Sequence, residues 1–184
     1  MKILEKVDIQ ENKRLVFGLN MVAVILWILL LFPFAWLTVF LAGGQQQWDV
    51  PYTDLIGVML GIIPLLAVHE LIHGLFFKLF APERPVRFGF KWSSMMAYAT
   101  SPGSLYQRKQ MAMIAGAPFV MLTALLTVGC ALHLFSPVHY LFWVTFHACG
   151  CVGDFFYLYL LLIKYGKGEI RAEDTENGLI IYQV

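Results

Sequence analysis

His69, Glu70 and His73 are the residues of this chain best suited to chemistry. They belong to His69-Glu70-Leu71-Ile72-His73, an H-E-x-x-H sequence inside an apolar stretch running from about Leu55 to Phe80. Residues four apart lie on the same face of an α-helix, so the two imidazoles can converge on one metal ion. Glu70 stands one position round from His69, where its carboxylate can reach a water on that metal without being a ligand itself. The chemistry such a pattern supports is metal-assisted hydrolysis, with neutral imidazoles as ligands and the glutamate as general base. The surroundings sharpen the reading. A carboxylate in hydrocarbon costs at least ~2.5 kcal/mol, and acids at that depth face a bundle interior and act there. A pair of core histidines beside an incidental, protonated glutamate is the bland alternative, and it leaves that cost without a return.

A catalytic zinc takes three protein ligands and keeps one position open for water. Asp154 is the leading candidate for the third. His147, seven residues earlier on the same face, is its rival, and Cys151, three residues before Asp154, is an outside candidate. Asp154 could also be a protonated acid bonded to backbone. The 3 cysteines, Cys130, Cys149 and Cys151, are an odd number without a C-x-x-C pair, so they carry no disulfide framework and read as small packing residues. His133 and His139 fall in a short turn and read as polar interface residues.

What must position these groups is a set of membrane-crossing helices. With 59% hydrophobic residues, 14% charged residues and a mean hydropathy of +0.70, the chain is too apolar for a soluble domain. Its 184 residues are expected to form one domain. Four runs reach the ~20 residues a helix needs to cross a bilayer: Phe17–Leu41, Leu55–Phe80, Gln110–Leu132 and Tyr140–Ile163. The first follows a mixed-charge segment and lacks a small-x-small cleavage site, so it is expected to remain as an anchor. All 13 Lys and Arg lie in Lys2–Arg14, Lys78–Lys91, Arg108–Lys109 and Lys164–Arg171, and none lies in Ala42–Asp54 or His133–His139. Basic flanks favour the cytoplasm, so four spans with both termini inside satisfy every group. A net charge of +1 gives no footing for nucleic acid.

Counting along these spans sets the depth of each donor. From Phe80, His73 is seven residues up and His69 eleven, which at ~1.5 Å per residue is about 10 and 16 Å into the membrane. Asp154 is nine residues from Ile163, about 14 Å by the same rise, so it lands between the two histidines. His147 lies about 10 Å higher than Asp154 and is better placed behind the ligands than among them. Glu70 and Asp154 are the acidic residues in the span interiors. A dication with two neutral histidines and two ionised carboxylates sums to zero, which offsets much of each acid's desolvation cost. Gly74, Gly150 and Gly153 allow the two helices to approach closely.

The connecting segments are less definite. The lead-in 1–16 has Ile3, Leu4 and Val7 spaced for one apolar helical face, or is a plain solvated segment. In the outer loop Gly43–Tyr52, Trp48 and Tyr52 suit the membrane interface. Within 81–109, Val86–Ser93 alternates apolar with small or charged residues, Met95–Thr100 could be a second strand, and Ser101-Pro102-Gly103-Ser104 is a turn signal. The expectation is a hairpin with Phe88, Phe90 and Trp92 facing inwards as weak substrate-binding candidates, against an irregular aromatic loop. In the tail 164–184, Asn177-Gly178 signals a turn and Leu179–Tyr182 has strand-like composition. That segment could pair with the hairpin's edge or be partly disordered. The expected fold class is all-α and integral to the membrane, a four-transmembrane-helix bundle with a small cytoplasmic-side β-hairpin insert.

At His69–His73 and Asp154 the chain resembles the Putative zincin peptidase family, bacterial membrane proteins related to site-2 proteases. The resemblance takes in Ala67–Lys78 (AVHELIHGLFFK), the hairpin-like insert, Gly116-Ala117-Pro118 and Gly153-Asp154. It implies a zinc metallopeptidase of the bacterial cytoplasmic membrane, with His69, His73 and Asp154 as ligands and Glu70 as catalytic base. Site-2 proteases carry an Asn/Pro-bearing motif before the aspartate, whereas here His147-Ala-Cys-Gly-Cys-Val-Gly-Asp154 has neither residue. The partners this implies are the lipid bilayer and a membrane-protein or peptide substrate, which must unwind before its amides can be attacked. Two other readings remain at this point. A haem-carrying bundle would use the histidines but leaves Glu70 and Asp154 without a task. A non-catalytic metal-binding or chaperone-like protein would keep its zinc and its function when Glu70 is replaced by glutamine.

Overall fold

The computed structural model describes residues 1–9, 11–44, 50–92 and 96–184, without the side chain of Met96. The reading of Trp48, and the hairpin tip at 93–95, lie outside the described residues. Among the described residues, four helices are long and apolar enough to cross a membrane: Lys13–Leu41, Tyr52–Phe80, Arg108–Ala131 and the composite Pro137–Lys164. Helix α1 (Lys13–Leu41) begins where Asn12 Oδ1 accepts a hydrogen bond from the Leu15 N–H at 3.0 Å. It leaves Phe32, Trp36 and Phe40 80%, 71% and 67% exposed, an i, i+4, i+8 stripe that suits lipid and would be untenable in water.

Helix α2 (Tyr52–Phe80) runs unbroken through Pro64 and ends with the Lys78 ammonium donating to the carbonyls of Pro82 and Arg84 at 3.0 and 2.8 Å. Helix α3 (Arg108–Ala131) starts with a reciprocal capping box between Gln107 and Gln110. The last span is not the single rod expected. It is α4 (Pro137–Gly150), then α5 (Val152–Tyr159), then a π-helical turn Leu160–Lys164 closed by Tyr165 N–H to the Leu160 carbonyl at 2.8 Å. The break falls at Cys151, between Gly150 and the first turn of α5.

At the end of the helices away from the sheet, Ser136 caps α4 and its hydroxyl lies 2.7 Å from Asp54 Oδ2 and 2.6 Å from His139 Nδ1. His139 does not relay between the other two, so this trio is a cap and a tie between α2 and α4. Trp143 Nε1–H adds a bond to the Val58 carbonyl at 3.0 Å, its ring over Gly61, where a Cβ would collide with it.

The all-α expectation needs correction, because the fold also holds a four-stranded antiparallel sheet in the order β1-β6-β5-β4: β1 (Lys2–Lys6), β4 (Tyr106–Gln107), β5 (Ile170–Thr175) and β6 (Gly178–Gln183). The lead-in is therefore a strand and not a helix. The tail folds back on itself at the expected Asn177-Gly178 turn and pairs with β1, not with the hairpin. The physical reason is the period-2 inward face of the tail. Ile170, Ala172, Leu179 and Ile181 are at most 6% exposed and pack on Phe77, Met111, Ile114, Leu160 and Leu161. Arg108 ties α3 to this layer by donating to the carbonyls of Gly166 and Gly168.

The expected hairpin is present as β2 (Arg87–Lys91) and β3 (Met96–Thr100), in the register Phe88↔Ala99 and Phe90↔Ala97. Its aromatic side chains are not buried as expected: Phe88, Phe90 and Trp92 are 52%, 39% and 79% exposed. Phe88 and Phe90 share a face with their partners Ala99 and Ala97, and the Phe88 ring meets α2 at Gly74, but β3 and not β2 is the strand that packs along α2.

Candidate metal centre

Helix periodicity and the turn at Cys151 together assemble three donors. His69 Nε2 and His73 Nε2 on α2 stand 3.1 Å apart. Asp154, in the first turn of α5, places Oδ2 3.4 Å from the first and Oδ1 3.3 Å from the second. Donors on a tetrahedral zinc with bonds of ~2.0–2.1 Å are about 3.3 Å from one another, so this triangle fits the ion. Two imidazoles and one carboxylate are also a donor set zinc accepts, with a fourth position left for water. The three groups are half-buried to buried, at the junction between the bundle core around Ile72 and Ala117 and the core beneath the sheet.

The orientation of His73 is fixed from behind. Its Nδ1 lies 2.9 Å from the Ile114 carbonyl oxygen on α3. A carbonyl can only accept, so Nδ1 carries the proton and Nε2 offers its lone pair to the centre. Ile114 is free to accept because the helical donor four residues on would be Pro118, which has no N–H.

His147 and Cys151 form a second cluster with His69. His147 Nε2 lies 3.2 Å from the Pro118 carbonyl, and Cys151 Sγ stands 3.8 Å from His147 Nδ1 and 4.0 Å from His69 Nδ1. These separations exceed the about 3.5 Å expected between sulfur and nitrogen on one zinc. The cluster also draws on the nitrogen of His69 that faces away from Asp154. Its spacing fits a zinc ion less closely than that of the first triangle, behind which it lies. Cys130 is buried in the bundle core, and Cys149 is half-buried with its thiol donating to the Phe146 carbonyl at 3.2 Å.

Glu70 lies outside the donor triangle, on the wall of a cavity of about 200 Å³ that also holds His69, His73, Asp154, Tyr157 and Asp174. Its carboxyl faces the backbone amide of Ala99 in β3. From the hairpin, Lys91, Ala97, Tyr98 and Ala99 line this cavity, whereas Phe88, Phe90 and Trp92 do not. Sequence reasoning passed over Tyr157 and Asp174. Tyr157 is three residues beyond Asp154, hence on its face of α5. Asp174 follows Ile170 and Ala172 at strand period on the inward side of β5, a signal that was available had the tail been read as sheet. Burial pushes the Asp174 carboxyl up to about 8; the His73 imidazole opposes this, and the carboxyls of Asp154 and Glu70 add to it.

A family model described as Putative zincin peptidase matches residues 62–170, more than half of the chain and a span that includes His69, Glu70, His73 and Asp154. No match is found among curated proteins or among solved structures.

Proposed function

The chain belongs to the Putative zincin peptidase family, and from that premise we propose that it is a membrane-embedded zinc metallopeptidase cleaving peptide bonds of a membrane-associated protein. One observation carries the reading: His69 Nε2, His73 Nε2 and Asp154 meet at 3.1–3.4 Å, with a separate carboxyl, Glu70, beside them. His69, His73 and Asp154 would hold the zinc. When bound there it lowers the pKa of a water to ~7 and polarises the scissile carbonyl.

The protein's own groups do the rest. Glu70 accepts the proton of the attacking water and passes it to the leaving amine. The Ile114 carbonyl keeps His73 in the tautomer whose Nε2 points inwards. Among the described residues β3 pairs only with β2, so its other edge, with the Ala99 amide towards Glu70, is open to an unwound segment of substrate as an added strand. Lys91 and the Asp174–Gly178 turn line the cavity beside the helix residues, and water entering between them would reach the donors at a depth the helices alone would keep dry.

The site lies in the cytoplasmic half of a multi-pass bacterial membrane protein on this reading, with both termini in the cytoplasm as the basic flanks require. The test is to compare membranes from cells producing the wild-type protein or Glu70→Gln, sequencing new peptide termini. Termini that depend on Glu70 support the reading; identical membrane proteomes overturn it.

A further inference from the structure

Asp174 is an inward carboxyl that the chemistry above does not use. On β5, Ile170 and Ala172 point into the core at 6% and 0% exposure, and position 174 shares their face by the period of a strand. Glu173 takes the opposite face, where its carboxylate accepts from the Gly103 N–H at 2.8 Å and the Tyr182 hydroxyl at 2.9 Å. The strand therefore puts an acid where its register asks for an apolar side chain, at the wall of the cavity that holds Glu70, His73 and Asp154.

Among the described residues no lysine or arginine answers it. Among the described residues Asp174 makes no ion pair with lysine or arginine, and its polar neighbour is Thr100. Lys91 also lines the cavity, but its ammonium is turned to the Glu176 carbonyl and, at 3.3 Å, to Asn177 Oδ1. With zinc present, Asp154 and Glu70 already balance its charge, so Asp174 in its ionised form would be one negative group in excess. A buried acid without a counter-cation is costly, and it gains most from a partner that brings a cation into the same space.

We propose that Asp174 is a substrate-binding residue that holds a cationic group of the polypeptide, a lysine or arginine side chain or a free α-amine, close to the scissile bond. This rests on the peptidase reading, and it makes the substrate a basic segment, such as the lysine- and arginine-rich flank of a membrane span.

The experiment uses the full-length protein in nanodiscs, zinc-loaded and carrying Glu70→Gln so that peptides are held and not cut. The probes are fluorescein-labelled, alanine-rich decapeptides with one lysine or one glutamine at each position in turn, each with a free or an acetylated N-terminus. Fluorescence anisotropy should show one lysine position, or the free amine, binding about tenfold tighter than its neutral counterpart. Asp174→Asn should bring that peptide down to the neutral affinity without changing the neutral peptide. Asp174→Ser serves as a second removal, and Glu173→Gln, on the outer face, should leave the preference intact. No preference for a cation, or a preference that survives both Asp174 variants, overturns the inference. If no peptide of either kind binds, the peptidase reading itself fails and the subsite falls with it.

Discussion

The Nδ1 of His73 on α2 and the carbonyl oxygen of Ile114 on α3 lie 2.9 Å apart, at the point where Pro118 has removed that carbonyl's own helical donor. A proline that weakens one helix thus supplies an acceptor that orients His73, a candidate zinc ligand, on another. Pro118→Ala restores the N–H and makes the two donors compete. The expected result is zinc bound about tenfold more weakly, since groups behind metal ligands are worth ~10–100-fold in affinity. Thermal stability of the metal-free protein should be equal or higher, because proline inside a helix costs ~3 kcal/mol. Chelator competition and a melting curve read the two effects, and unchanged affinity would refute the coupling.

Glu70 should be separable from the ligands. Glu70→Gln is expected to keep its zinc while hydrolysis falls by at least ~10²-fold, the contribution of a general base. Metal analysis and turnover of a reconstituted peptide check the pair. Loss of zinc with the glutamine would place Glu70 among the ligands instead.

Asp174 should impose a pH-dependent cost on the metal-free fold. Its carboxyl is held up to about 8 in the folded state and titrates near the ordinary 3.8 when unfolded. Between these values the native state keeps a proton that the unfolded state has released, so stability falls as pH rises from about 4 to about 8. Asp174→Asn removes that slope. The variant should exceed wild type by on the order of 1 kcal/mol or more at pH 7, with the two converging near pH 4, as chemical denaturation at the two pH values would show. A parallel offset at both pH values would contradict the assignment.

Gly178 links the tail to the lead-in. Its φ of +144° is one that side-chain-bearing residues rarely adopt, and a Cβ there would run into the Val7 carbonyl. Gly178→Ala should cost about 1–3 kcal/mol and expose β1 to protease before the helices unfold. Equal protection of β1 in the variant would show that the contact is dispensable.

Much of the site was legible in the sequence because it rests on local rules. His69 and His73 share a face by helical period alone, and Asp154 could be set at their level by counting residues from the span ends. The break at Cys151 was not legible, since Gly150 and Gly153 suggested only close packing and no proline marks the turn. The sheet was hidden for a different reason. β1 and β6 lie at opposite ends of the chain, Lys2 pairing with Gln183, and so short an apolar segment as Ile3–Val7 fits a helix or a strand equally well. Without the sheet, the inward face of β5 and Asp174 upon it could not be seen. The Ile114 carbonyl lies further still from what a linear reading gives, since its availability depends on Pro118 and its use on a histidine from another helix.

The most direct test of the central claim is zinc content of the purified protein measured on wild type, Asp154→Ala and His147→Ala side by side. The triangle of His69, His73 and Asp154 predicts about one zinc per chain in wild type and in His147→Ala, and a loss of the bound ion in Asp154→Ala. Zinc retained by Asp154→Ala and lost from His147→Ala would contradict it and move the centre to His69, His147 and Cys151.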